Sequence, residues 1–247
     1  MQRFPQPPEC LPAPVGLEDR VKCLWQLWEG PEGRLPVVPD GCQDLVVCRQ
    51  DRSARAILAG VDHATTWAPV DRDLSYIGIR FQPGVDLEPL GFRAQDLVGE
   101  RVELPLARAT SLGRWLRSAL AAEEPFPLLC EGLEARLRPP SEGTREALEC
   151  AAGQDWPFIS HRTLQRHVFK ATGVPPSVWQ QLRRVRLAAC KLLSESSVSL
   201  ATLALEAGYA DQAHMTREFR RRFGLTPGRL RREADYYRSI FLTPGAF

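Results

Sequence analysis

Histidine is scarce in this chain: four in 247 residues, with His63 alone in the first half. A metal centre that gathers several histidines with a carboxylate therefore lacks ligands there, and no metal is expected. The seven cysteines, at 10, 23, 42, 48, 130, 150 and 190, form no Cys-x-x-Cys pair, which fits reduced, packed thiols better than disulfides or a zinc cage. Nothing beside Cys42 or Cys48 obviously lowers a thiol pKa, so packing is the better reading than redox sensing. No apolar run approaches about 18 residues, and the start Met1-Gln2-Arg3-Phe4-Pro5 lacks the apolar core of a secretory signal. A cytoplasmic location with no membrane partner is expected. A Gly-x-Ser-x-Gly elbow, a phosphate-cradling glycine loop and a His-Glu-x-x-His are all missing, so neither an enzyme nor a cofactor is expected.

Charge, by contrast, is plentiful and unevenly placed. The overall +2 hides a net of +10 over residues 160–232 and −8 over the rest. A basic region of that size fits a polyanion, because arginines at phosphates release counterions and supply affinity without sequence information. Arg183, Arg184, Arg220, Arg221 and Arg222 are the phosphate candidates, with Arg229, Arg231 and Arg232 behind them. The length suits two domains of about a hundred residues each. The expected division is a β-rich domain with C-terminal helices over 1–138 and a helical domain over 143–235, joined through Arg138-Pro139-Pro140-Ser141-Glu142-Gly143.

In the first half, β-like runs at Val21 to Trp28, Leu35 to Val38, Asp44 to Cys48, Ala56 to Ala59 and Tyr76 to Phe81 alternate with turn signals at Pro39-Asp40-Gly41 and Pro83-Gly84. They predict a sandwich or barrel of about eight strands, making the whole chain α+β. Amphipathic helices are predicted over Ala107 to Ala122 and Pro127 to Leu137, and a further helix over Gly143 to Ala152. Trp115, Leu116 and Leu120 form a stripe that serves either a dimer seam or packing on the chain's own barrel. Asp40, Asp44, Asp62, His63, Trp67 and Arg80 are candidates to line an effector pocket; alternatively the aspartates shape a turn and Arg80 pairs with one of them.

The second half carries the sharper signal. Leu200, Leu203 and Ala204 give a short helix one apolar face, Gly208 stops it, and Asp211 can cap a second helix whose Met215, Phe219 and Phe223 point inward. Gln212, Ala213, Thr216, Arg217 and Arg220 are left facing outward. That surface suits a major groove: glutamine can pair with adenine, arginine can take guanine with two bonds, and small residues approach thymine methyls. His214 either packs under the helix edge or reaches DNA.

With Leu203-Ala204, Gly208-Tyr209, Asp211-Gln212, His214 to Phe219, Phe223-Gly224 and Thr226-Pro227 at fixed spacing, this run resembles the second helix-turn-helix of the AraC/XylS family of bacterial transcription regulators. That family joins two such motifs by a long helix. Ser160 to Phe169 is similar to its first recognition helix, with Arg162, Gln165 and Arg166 at the base-facing positions, and Ser177 to Leu193 to its linker, with Trp179, Leu182, Val185, Arg186-Leu187, Cys190 and Leu193 inward. One departure stands out: where the family places a short scaffold helix, this chain has Gly153 to Ile159 with Pro157 inside, so Trp156, Phe158 and Ile159 are expected to pack in its place. Val38 to Val46 and Gly78 to Gly84 resemble an uncharacterised module that often precedes an AraC-type C-terminus. The resemblance implies a regulator bound to double-stranded DNA, with RNA polymerase, a small-molecule effector and a homodimer as further partners. A cysteine methyl acceptor, which some AraC-type domains carry, would need a four-cysteine zinc cluster that the spacing does not supply. The alternative is a small-molecule-binding or interaction protein whose DNA-binding half has lost specificity through the shortened first motif. The intact Gln212 to Arg217 face argues against it.

Overall fold

Alternating apolar and polar residues build the first half into a sheet with two different faces. The computed structural model describes residues 7–27, 32–50, 53–107, 110–153, 160–195 and 197–242. Among them are eight strands: β1 (Glu9–Pro12), β2 (Val21–Leu27), β3 (Gly33–Val37), β4 (Asp44–Gln50), β5 (Ser53–Ala59), β6 (Thr66–Val70), β7 (Ser75–Phe81) and β8 (Arg101–Glu103). Six form an antiparallel sheet in the order β1-β2-β7-β4-β5-β8, while β3 and β6 pair separately. The register lines up Leu24, Ile79, Leu45 and Leu58 across four strands, and the neighbouring row carries Cys23, Arg80, Asp44 and Ala59. One row belongs to the core; the next, on the opposite face, looks toward β3 and β6.

The core row is covered by α1 (Ser111–Ala121) and α2 (Pro125–Glu134). Leu116 and Leu120 are buried against the sheet, and Trp115 donates its indole N–H to Leu128 O at 2.8 Å. The stripe offered as a dimer seam is therefore spent inside the chain. Helix α1 begins later than expected because the Thr110 hydroxyl caps it, accepting from Gly113 N–H at 3.0 Å.

Strands β1, β6 and β8 escaped the sequence reading. Pro12 and Pro69 disguise the first two, both of which lie at sheet edges where a missing N–H is tolerated, and Arg-Val-Glu is too short and polar to signal β8. Trp28, placed in a strand by sequence, lies outside the described residues, as do Trp156, Phe158 and Ile159.

The helical half follows as α3 (Glu142–Ala151), α4 (His161–Thr172), α5 (Pro176–Ser194), α6 (Leu200–Glu206), α7 (Gln212–Phe223), α8 (Pro227–Arg232) and α9 (Ala234–Phe241). Helix α5 buries Trp179, Leu182, Val185, Arg186, Cys190 and Leu193 as expected, but Leu187 is 42% exposed and Ala188, Ala189 and Leu192 occupy the inner face instead. Leu187 lies roughly 140° around the helix from Leu182, away from the side that 3.6-residue periodicity gives to 182, 185, 189, 192 and 193.

The two halves share core. Val38, after β3, joins the apolar cluster of α5, α7 and α9, and Val61, after β5, lies in the cluster of α3, α4 and Trp179 with Val98 packed on it. Each buried valine is worth about 1.5–3 kcal/mol on apolar transfer.

Candidate nucleic-acid interface and cavity

Helix α7 is placed by short-range contacts. Gly208, at φ +73°, turns the chain after α6, and Asp211 Oδ1 accepts from His214 N–H at 2.6 Å to cap the new helix. Met215, Phe219 and Phe223 are buried beneath it. Gln212, Ala213, Arg217 and Arg220 stand exposed on the opposite face, with Thr216 half-buried and its hydroxyl donating to Gln212 O at 2.8 Å. His214 is half-buried, its ring and that of Tyr209 forming a T-shaped pair at 5.3 Å. The Arg184 guanidinium lies over the Tyr209 ring at 4.5 Å and also donates to Gly208 O at 3.3 Å. Arg184 thus braces the turn between α6 and α7. Arg183 is half-buried, and burial lowers its pKa.

Helix α4 repeats the local devices. The Ser160 hydroxyl accepts from Thr163 N–H at 3.2 Å, and Arg162, Gln165 and Arg166 are exposed together. Its inner face rests on α3, where Thr144 Oγ1 meets His167 Nδ1 at 3.5 Å, and on the β-rich half. Gly173, ending α4 at φ +76°, comes so close to residues 94–95 that a Cβ would sit 2.7 Å from Ala94 O.

Arg222 departs from the solvent-facing phosphate contact expected of it. It is 3% exposed, donating from Nη1 to His63 O at 2.9 Å and from Nη2 to Gln181 Oε1 at 2.6 Å, while Thr65 N–H donates to Arg222 O at 2.7 Å. Burial lowers its pKa, against the pull of Glu218. The signal was present in the sequence: Met215, Phe219 and Arg222 fall at i, i+4 and i+7, on the apolar stripe. Arg220 and Arg221 remain exposed.

A cavity of about 1040 Å³ opens between the six-stranded sheet and the β3–β6 pair. Asp40, Asp44 and Arg80 meet at its wall. Arg80 Nη1 lies 3.0 Å from Asp40 Oδ2, and Arg80 Nε donates to Asp44 Oδ1 at 3.1 Å; Trp25 Nε1 donates to the same oxygen at 2.8 Å. Arg80 pairs with both aspartates, where pairing with one was expected, because the register sets Asp44 directly opposite and the turn brings Asp40 back. Asp40 also shapes that turn, accepting from Cys42 N–H at 2.9 Å. Burial presses the Asp40 carboxyl upward, but Arg80, Arg186 and Lys22 together outweigh it and hold the group well below its ordinary value. Asp44 moves up, chiefly through burial, despite Arg80. Cys42 and Cys48 are buried, and burial pushes the Cys42 thiol up to about 11, so neither is a ready nucleophile.

Trp67 borders the cavity while 42% exposed, whereas His63 is not among its lining and contributes only its carbonyl to Arg222. Sequence reasoning missed Trp25 and two lining residues of α9, Ser239 and Ile240. Trp25 was findable, since alternation in β2 places it on the face of Cys23. The α9 residues were not, being far away in the chain. Among the described residues no helix is long and apolar enough to cross a membrane.

Residues 158–233 match a family model described as a helix-turn-helix domain, of the AraC type, and residues 9–103 match a domain of unknown function, DUF6597. The HTH-type transcriptional regulator ExsA of Pseudomonas aeruginosa is 43% identical over 67 residues, 27% of this chain and 24% of that protein. The virulence regulon transcriptional activator VirF of Yersinia enterocolitica is 41% identical over 59 residues, 24% and 21% of the two chains. The HTH-type transcriptional activator RhaS of Escherichia fergusonii is 36% identical over 91 residues, 36% and 32%. The chain thus spans less than a third of each of these relatives. ToxT of Vibrio cholerae O395 aligns with 84% of this chain and 95% of its own at 8% identity and a TM-score of 0.39, too distant to bear on the fold. Residues 158–233 are thus similar to AraC-type helix-turn-helix domains, and residues 9–103 to the DUF6597 domain.

Proposed function

We propose that the protein is a sequence-specific DNA-binding transcription regulator whose helical half, 143–235, reads duplex DNA and whose first part, 1–138, takes a small molecule in its cavity. The observation that carries the reading is the exposed Gln212, Ala213 and Arg217 face of a capped α7, with Thr216 beside it. A second such face, Arg162, Gln165 and Arg166, stands on α4. The two helices enter successive major grooves on one side of the duplex, about one turn apart. Arg220 and Arg221, exposed at the end of α7, meet phosphates.

The cavity supports an effector site because it is concave, largely apolar, and carries a few converging polar groups at Asp40, Asp44 and Arg80. RNA polymerase and a second copy of the chain, which the AraC resemblance implies, belong to the same proposal, through surfaces other than the buried Leu116–Leu120 stripe.

Selection of bound sequences from random duplex DNA near physiological salt tests the reading, with wild type and Arg217→Ala in parallel. Wild type is expected to enrich one asymmetric motif with two elements about a turn apart. Arg217→Ala is expected to lose about 1–3 kcal/mol at a single base position and to relax specificity there. No enrichment, with or without the compounds that bind the cavity, would return the reading to an interaction protein. Equal loss on all sequences would make Arg217 a phosphate anchor.

A further inference from the structure

The wall of the cavity and the back of the base-reading helix meet at one place. Residues 61–66 leave β5 and enter β6, and this loop is tied down on the cavity side: Asp62 is buried, ion-paired to Arg101, and accepts from Thr66 Oγ1 at 3.2 Å. Asp62, Thr66 and Arg101 all line the cavity. On its other side the same loop holds α7 through both the backbone and the side chain of Arg222, by the Thr65 N–H and His63 carbonyl bonds described above. Arg222 lies on the face of α7 opposite Gln212, Ala213 and Arg217, and its second nitrogen fastens Gln181 of α5. One guanidinium therefore joins the reading helix, the linker helix and the cavity wall.

We propose that Arg222 is a positioning residue: with the 62–66 loop it forms a clasp that holds α7 in its reading pose, and changes at the cavity wall reach α7 through it. The proposal rests on the regulator reading above. A helix core needs only an apolar side chain at this position, and a fork of buried N–H donors is a costly way to fill space. The clasp gives that fork a purpose, since its geometry fixes three elements at once. The base-facing side chains are exposed while the clasp is closed, and in this proposal the closed form is the DNA-competent one.

The test is fluorescence anisotropy on a duplex carrying the selected motif and on a random duplex, with full-length wild type, Arg222→Met, Arg101→Gln and the double variant. Arg222→Met keeps the apolar volume, and its thermal midpoint checks that it folds. It is expected to weaken motif binding about tenfold and random-duplex binding much less, and Arg101→Gln about threefold, as typical coupling energies allow. The double variant should be no weaker than Arg222→Met alone, and hydrogen exchange in α7 should rise in Arg101→Gln, although residue 101 is in the sheet. Losses that multiply, or exchange in α7 that does not respond, overturn the clasp. Equal weakening on both duplexes overturns it too, because Arg222 would then support the helical fold and not the reading pose of α7. Should wild type select no motif at all, the regulator reading fails instead, so the two failures are distinct.

Discussion

Helices α4 and α7 are near twins in their local chemistry and unlike in what supports them. Each has 12 residues, a capping side chain that accepts from the third helical N–H, and a left-handed glycine at its end. Helix α7 packs on α6 and α5 and, through its Phe219 and Phe223, on Phe241, and it touches the β-rich half at Val38 and at the His63 and Thr65 bonds to Arg222. Helix α4 rests partly on the β-rich half, through Val61, Val98 and residues 94–95. Two surfaces offered for the same task thus differ in how the β-rich half holds them, α7 by hydrogen bonds to one arginine and one inserted valine, α4 by apolar packing and a close glycine contact.

The largest test of that difference is a fragment of residues 141–242. It keeps the aromatic packing of α7 on Phe241 but loses Val38 and the 62–66 loop, and from under α4 it loses Val61 and Val98, so it should lose about 10³-fold in affinity for the full motif and keep what preference remains at the α7 element. Retention of both elements would show α4 to be self-supporting. Next comes Asp40→Ala, which leaves Arg80 with Asp44 alone; breaking a buried pair costs about 3–5 kcal/mol when the charge is left unpaired, so with Asp44 retained the cost should fall at about 3 kcal/mol or below, read by denaturant unfolding. The pH dependence carries a sign. Because the Asp40 carboxyl is held below its ordinary value of 3.8, its stabilisation is complete above that pH and is lost as pH falls toward the lowered value. Wild type should therefore lose more stability than Asp40→Asn on acidification below the ordinary carboxylate range.

Smaller, and more pointed, is a pair of glycine substitutions. Gly224→Ala meets open space and pays only for positive φ, about 1 kcal/mol, whereas Gly173→Ala adds a clash with Ala94 O and should cost about 2–3 kcal/mol. Equal costs would remove the asymmetry between the two helices. The smallest effects are expected from the caps: Ser160→Ala and Asp211→Ala should each cost about 1 kcal/mol and so leave the twins alike where the sequence makes them alike.

The parts legible in the sequence are those governed by neighbours within a few residues. Asp211, Gly208 and the Met215–Phe219 spacing announced α7, and Ser160 announced α4, because caps, turns and helical stripes are local physics. Arg80 beside Asp40 and Asp44 was also anticipated, though not the double pairing, which needs the register of β4 against β7. Arg222 was misread because an arginine in a basic run looks like a solvated charge, although its spacing from Met215 and Phe219 put it on the apolar stripe; only its partners, His63 and Thr65, more than 150 residues away, lay beyond local reading. Leu187 was misplaced for a different reason: it is apolar and follows buried Arg186, but it falls roughly 140° around α5 from Leu182.

Val38 has a consequence for how such chains can be recombined. It leaves the sheet half and fills a space among α5, α7 and α9, so a helical half grafted behind a different sensor arrives with a hole, and a sheet half grafted elsewhere arrives with an oily peg exposed to water. Swaps at the 138–143 connection are therefore not clean exchanges of modules. A compatible partner must bring its own plug of matching shape, which ties the two halves together as one heritable unit even though each resembles a different family.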